Sequence, residues 1–217
     1  MVSRNMYVPK FFEIKEWPEI IRFMKDNPLA SLVSRGNEYP VATHIPLELE
    51  ENEGGDTILS GHFAKANPQW KLFESHQEVL AIFLSPVQHY ISSSWYNHPN
   101  VPTWNYMSIH VYGHLRVVEG KRLWKSLESM THLHEQISSH PLTEKVLQGE
   151  IAKQIGGIVG FEIDIERVEA AYKMSQNRGD EDYKNVMAEL EKLEDYKAKM
   201  VAKKMSEIMK TKQRTAK

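Results

Sequence analysis

The chain has 217 residues, 41% of them hydrophobic, which is enough for one sizeable core and too apolar for a disordered protein. It has no cysteine, so disulfides, zinc–thiolate centres and thiol catalysis are excluded. A formal charge of −2 argues against a uniformly basic nucleic-acid binder, and neither a membrane-length apolar run nor a signal-peptide core is present, so a cytoplasmic protein is expected. The charge is uneven, however: between Lys197 and Lys217 seven Lys and one Arg stand against Glu207 alone.

Trp17-Pro18 opens a short predicted helix with Ile20, Phe23 and Met24 on one face and Asn27-Pro28 as its stop, reading as a lid or plug. Residues 29–35 and 39–48 form a predicted hairpin around Gly36-Asn37, with Thr43 and His44 on its second strand. The acidic run from Glu50 to Asp56 reads as a loop, and residues 57–63 as a third strand. That strand delivers His62 and Lys65 to a predicted helix start, where Asn67 is a good N-cap and Pro68 a good first residue. Unpaired N–H groups and a partial positive charge beside two basic side chains make a small anion pocket suited to phosphate. The alternative is a solvated lysine in an ordinary strand-to-helix turn. Thr43 and His44 sit near the same mouth, as contacts or as structural residues.

Residues 78–84 and 88–92 read as further strands, followed by an aperiodic loop over 93–104 rich in Trp, Tyr and Pro. A long strand from Tyr106 to Val118 puts His110, Tyr112 and His114 on one face and Ile109, Val111 and Leu115 on the other. Two helices are predicted next, one carrying Leu123, Leu127 and Met130, the other running from Thr143 to Ile155 and stopped by Gly156-Gly157. A last strand over 158–165 rejoins the sheet, and an acidic start at Asp180-Glu-Asp opens one long helix through Leu190, Leu193 and Met200. Short strands at close spacing suggest a barrel.

Metal and hydrolase readings are weak. His110 and His114 lie about 13 Å apart on a strand, too far to share an ion, and His132 with His134 project to different sides of a helix. Ser92-Ser93-Ser94 lacks the G-x-S-x-G context of a serine hydrolase.

Five blocks in order, Met6-Tyr-Val-Pro, Gly61-His-Phe-Ala-Lys-Ala-Asn-Pro-Gln-Trp, Tyr90-Ile-Ser-Ser-Ser-Trp-Tyr, Val101-Pro-Thr-Trp-Asn-Tyr and Lys173-Met-Ser-Gln-Asn-Arg, together resemble the PaiB family of bacterial proteins. That family is described as FMN-binding negative transcriptional regulators, linked in bacilli to repression of sporulation and of degradative-enzyme synthesis. One departure is that the family often has a Pro before Trp-Tyr, where this chain reads Ser92-Ser93-Ser94. The resemblance implies an α+β fold, a mainly antiparallel FMN-binding split β-barrel of the pyridoxamine phosphate oxidase kind, with peripheral helices and a long C-terminal helix. It also implies a homodimer with flavin sites at the subunit interface. The expected division is a barrel over 1–178 and a C-terminal helix with basic tail over 179–217.

By that resemblance FMN is the cofactor, and Lys65 and His62 receive its phosphate. Lys173, Ser175, Gln176 and Asn177 offer one charge and several hydrogen-bonding groups to a phosphate or to the polar edge of an isoalloxazine ring; otherwise they form a capped turn. Ser94, Trp95, Tyr96, Trp104, Asn105 and Tyr106 would stack on and bond to a planar ligand, or bury themselves in a core or interface. Lys199, Lys203, Lys204, Lys210, Lys212 and Arg214 could meet DNA phosphates, although no helix-turn-helix or zinc-finger pattern accompanies them, and the alternative is a solvated tail. The expected function is negative regulation of sporulation and protease production. A flavin-dependent oxidoreductase and a haem-binding protein with a histidine axial ligand are the alternatives.

Overall fold

A computed structural model of the chain describes residues 6–52 and 54–215, with side chains described through residue 211. In chain order the elements are β1 (Glu13–Ile14), α1 (Trp17–Asp26), β2 (Leu29–Ser34), β3 (Val41–Pro46), β4 (Glu48–Glu51), β5 (Thr57–Ala64), β6 (Glu78–Leu84), β7 (His89–Ile91), β8 (Thr103–Val118), α2 (Gly120–Glu135), α3 (Glu144–Gln154), β9 (Ile158–Lys173), α4 (Asp180–Lys192) and α5 (Tyr196–Thr215). Contacts divide them into two compact units.

The sheet unit comprises Ile21–Phe83 and His110–Val168. Its curled sheet has the strand order β3-β2-β6-β8-β9-β5-β4. Alternation of apolar and polar residues aims one set inward, and Leu32, Leu59, Phe63, Ala81, Phe83, Val111, Leu115, Phe161 and Ile163 are nearly or fully buried. Phe63 packs against Phe161 and Phe73, with ring centroids 4.8 and 6.0 Å apart. Helix α2 covers the other face of the β4, β5 and β9 strands. Gly160 permits that approach, because a Cβ there would come within 2.5 Å of Leu123 Cδ1. Arg122 of α2 reaches the buried Glu162 and, at 2.8 Å, Glu50, while Arg116 pairs with Glu162 and, at 3.4 Å, with Asp164. His134 meets Glu48 at 2.8 Å.

The helical unit takes the described residues up to Ile20, Leu84–Ile109, and those from Glu169 onward. Here β1 pairs with the end of β9, Glu13 opposite Ala171, and β7 pairs with the start of β8, His89 opposite Asn105. Ala198, Val201, Ala202 and Met205 form the buried stripe of α5, at the spacing an amphipathic helix requires. Tyr183 of α4 donates its hydroxyl to the Met205 carbonyl at 2.8 Å, and burial pushes that phenol above its ordinary pKa.

The last strand, expected over 158–165, runs as β9 to Lys173, and three further elements differ from the sequence expectation. The acidic run begins as strand β4, pairing Leu49 with Leu59, and the chain turns after it at Asn52, whose Oδ1 accepts from the Gly54 and Asp56 N–H groups. The helix after Asn67 is a 3-10 helix of 7 residues, Pro68–Glu74. The single long C-terminal helix is two, because Leu193 is extended (φ −72°, ψ 142°) and Asp195 restarts the chain by accepting the Lys197 N–H at 2.8 Å.

Candidate functional site

The helical unit brings together three of the sequence blocks. Ile91, Tyr90 and His89 pair with Thr103, Trp104 and Asn105, so the loop between β7 and β8 is a closed excursion from a two-stranded base. It starts as a 3-10 turn over Ser93–Trp95, capped by Ser92, whose hydroxyl accepts the Ser94 N–H at 3.3 Å and lies 2.9 Å from the Ser94 hydroxyl. Ser92 thus supplies a local cap. The loop is fastened to α4 through buried Asp182, which accepts the Asn97 N–H at 2.8 Å and lies 3.3 Å from His98.

The third block docks on this base. Lys173, at the end of β9, donates to Thr103 Oγ1 and, at 2.8 Å, to the Trp104 carbonyl. Ser175 adopts a left-handed conformation (φ 63°) that turns the chain back, and its hydroxyl donates to Asn105 Oδ1 at 3.1 Å. Gln176 closes the turn on itself, accepting from the Met174 N–H and donating to the Tyr172 carbonyl. The Arg178 N–H then bonds the Ser175 carbonyl at 3.0 Å, and its guanidinium stacks over the Tyr96 ring, 4.8 Å from the centroid. Asn105, Ser175 and Gln176 are therefore buried, mutually supported positioning groups, while Asn177 is exposed.

What remains open here is cationic and aromatic. Neither Lys173 nor Arg178 forms an ion pair with any described residue. Burial, and then the Arg178 charge, hold the Lys173 ammonium below its ordinary pKa. The buried Tyr96 hydroxyl has no hydrogen-bond partner among the described residues. Trp104 is 53% exposed and meets Tyr90 edge-on at 6.1 Å, and half-buried Trp95 stacks on His89 at 6.4 Å. Half-buried Tyr106 follows on β8. Arg178, the second cation of its block, joins the site although its spacing does not single it out.

The sheet unit holds the other expected residues. Asn67 caps the 3-10 helix as anticipated, but its side chain takes the Gln69 N–H at 3.0 Å, leaving that donor spent. Thr43 donates to the buried Gln69 and accepts from Asn67 at 2.9 Å. Gln69 itself bonds the Leu32 carbonyl and the Ser34 hydroxyl, so Thr43 belongs to a closed internal network. His44 is exposed and lies 2.9 Å from the Ser31 hydroxyl. His62 sits opposite Gly160 on β5, and burial lowers its pKa, which favours the neutral ring. Lys65 is exposed, and its side chain has no partner among the described residues.

On α5, Lys199, Lys203 and Lys210 are exposed, and at about 100° per residue they fall on one side of the helix. Lys204 differs: it pairs with Glu19 at 3.0 Å and lies over the Tyr172 ring at 5.0 Å, inside the fold. The side chains of Lys212 and Arg214 lie outside those described.

Residues 6–167 match the family described as "Putative FMN-binding domain". The protease synthase and sporulation protein PAI 2 of Bacillus subtilis is 39% identical over 94% of this chain and 99% of its own length. The chain belongs to the PaiB family. Among solved structures, the FAD and heme binding protein from Mycobacterium smegmatis superposes with a TM-score of 0.55 at 14% identity, covering 74% of this chain and 73% of its own. The flavocytochrome Anf3 from Azotobacter vinelandii does so with a TM-score of 0.55 at 16% identity, over 84% and 80%. At such identities the likeness establishes the split-barrel fold of this PaiB-family chain and nothing finer. No described helix is long and apolar enough to cross a membrane.

Proposed function

We propose that this PaiB-family protein is a cytoplasmic, homodimeric FMN-binding regulator that represses sporulation and protease production. The observation that carries the flavin half is the convergence of Trp95–Tyr96, Thr103–Asn105 and Lys173–Arg178 into one constellation held by Lys173 and Ser175. The exposed Trp104 indole suits a planar ring system, and two cations without carboxylate partners among the described residues suit a phosphate, so the residues fit the group. Bound FMN would supply a redox-active ring, while the chain's own part is to position and desolvate it. Lys65, exposed in the sheet unit, is a separate candidate for phosphate contact.

The regulatory half is supported by the name of the Bacillus subtilis relative, which ties it to protease synthesis and sporulation. Exposed Lys199, Lys203 and Lys210 offer contacts to duplex phosphates. Titration with FMN followed by flavin fluorescence tests the first half: saturable binding in the micromolar range is expected, and unchanged fluorescence with no change in melting temperature overturns it. Retention of duplex DNA from a sporulation promoter at physiological salt tests the second, and retention equal to that of random duplex argues against it.

A further inference from the structure

We propose that the sheet face beside the β2–β3 hairpin binds an aromatic α-amino acid, with Arg35 taking its carboxylate and Glu78 its ammonium. None of the residues involved belongs to the flavin constellation, so the site stands or falls independently of that reading.

A cavity of about 580 Å³ lies between the end of β2, the hairpin connection over 35–40, the start of β6 and Tyr112 of β8, a size ordinary for a small-molecule site. Strand register builds it. β2 and β6 run antiparallel with Val33 opposite Leu80 and Ser34 opposite Val79. Ser34 and Val79 are buried, so the period of two sends half-buried Val33 and Leu80 to the other face and carries Arg35 and Glu78 to that same face one step further on. Opposite charges at facing positions stabilise a strand pair when they meet. These do not meet: Arg35, Glu78 and Glu38 of the hairpin are exposed, and none of them forms an ion pair with any described residue. A cation and an anion thus stand open side by side above an apolar floor. A singly charged ligand would answer one of them, whereas a zwitterion answers both, and Glu38 adds a second acceptor for the ammonium.

The walls account for the aromatic part. Tyr112 is half-buried where it borders the cavity, and the Arg167 guanidinium steadies its ring from 4.3 Å above the centroid. Tyr39 is 78% exposed on a hairpin so close that a Cβ on Gly36 would collide with the Tyr39 carbonyl, which fixes where that ring leaves the backbone. Two phenol rings and the Val33–Leu80 floor suit a planar apolar side chain.

The test is calorimetric titration of the full-length protein with L-phenylalanine, with phenethylamine, which lacks the carboxylate, and with 3-phenylpropionate, which lacks the ammonium. Wild type should bind L-phenylalanine with a Kd of about 0.1–1 mM and each analogue about tenfold more weakly, the worth of one charge-assisted hydrogen-bonded pair. Arg35→Met should bind L-phenylalanine no better than phenethylamine, and Glu78→Gln should bind it no better than 3-phenylpropionate, both with wild-type urea midpoints because both side chains are exposed. Tyr39→Ala should weaken all three ligands several-fold at an unchanged midpoint. Absence of saturable heat with millimolar L-phenylalanine overturns the site. So does equal affinity of wild type for the three compounds, and so does an Arg35→Met protein that still prefers L-phenylalanine to phenethylamine.

Discussion

Two clusters of cations, one in each unit, are held in opposite ways. In the sheet unit Arg116 and Arg122 are matched by Glu50, Glu162 and Asp164, and the matched set fastens α2 to the strands. In the helical unit Lys173 and Arg178 are oriented by neutral groups, two oxygens and a ring face, and no carboxylate among the described residues answers them. Charges answered within the chain hold it together, whereas charges oriented but unanswered keep their capacity for a ligand. The same contrast separates Lys204, tied to Glu19 and Tyr172, from exposed Lys203 beside it.

The largest stability loss is expected from Arg122→Met. It leaves Glu50 with the Ser60 hydroxyl in place of its ion pair and weakens the support of Glu162, which is 1% exposed, so unfolding free energy should fall by about 2–3 kcal/mol in urea titrations. That figure lies below the usual loss for a broken buried pair, since Arg116 still reaches Glu162 and Arg122 is partly exposed. Gln69→Leu comes next, at about 1–3 kcal/mol, because the Ser34 and Thr43 hydroxyls lose a buried partner. A smooth fit without loss of midpoint would show that the network around Gln69 is dispensable.

A smaller effect concerns pH. Burial lowers the His62 pKa, so the folded state prefers the neutral ring, and the unfolded chain binds the extra proton first. The stability this contributes is fully present above the ordinary histidine pKa of 6.5 and is lost as pH falls below it. Comparing urea midpoints of wild type and His62→Gln from pH 7.5 to 5 should show a shallower decline in the variant, and parallel curves would contradict it. The least effect on stability, within about 0.5 kcal/mol, is expected for Lys199, Lys203 and Lys210 all changed to Ala. If DNA is bound through that face, the same variant should lower the salt slope of binding by roughly three units.

Much of the sheet was legible because period-two alternation in residues 41–46, 106–118 and 158–165 directly reports a face. The Asn67-Pro68 cap was legible for the same local reason. A seven-residue helix gives no clear sign of its hydrogen-bond pitch, so the 3-10 character after Asn67 was not visible. The break before Asp195 was hidden because Leu190, Leu193 and Met200 continue the helical period across it. At the site, the blocks named the participants, but the roles depend on partners about seventy residues apart, such as Lys173 with Thr103 and Ser175 with Asn105. Those pairings turn Ser175 and Asn105 into supports and leave Arg178, which spacing alone did not select, as the open cation.

Urea unfolding of Arg122→Met and Arg178→Met side by side, each with and without saturating FMN, tests this contrast most directly. The expected result is a lowered midpoint for Arg122→Met that FMN raises by as much as it raises wild type, and a wild-type midpoint for Arg178→Met that FMN raises much less. The contrary result is an Arg178→Met protein that is destabilised like Arg122→Met yet keeps the full stabilisation by FMN.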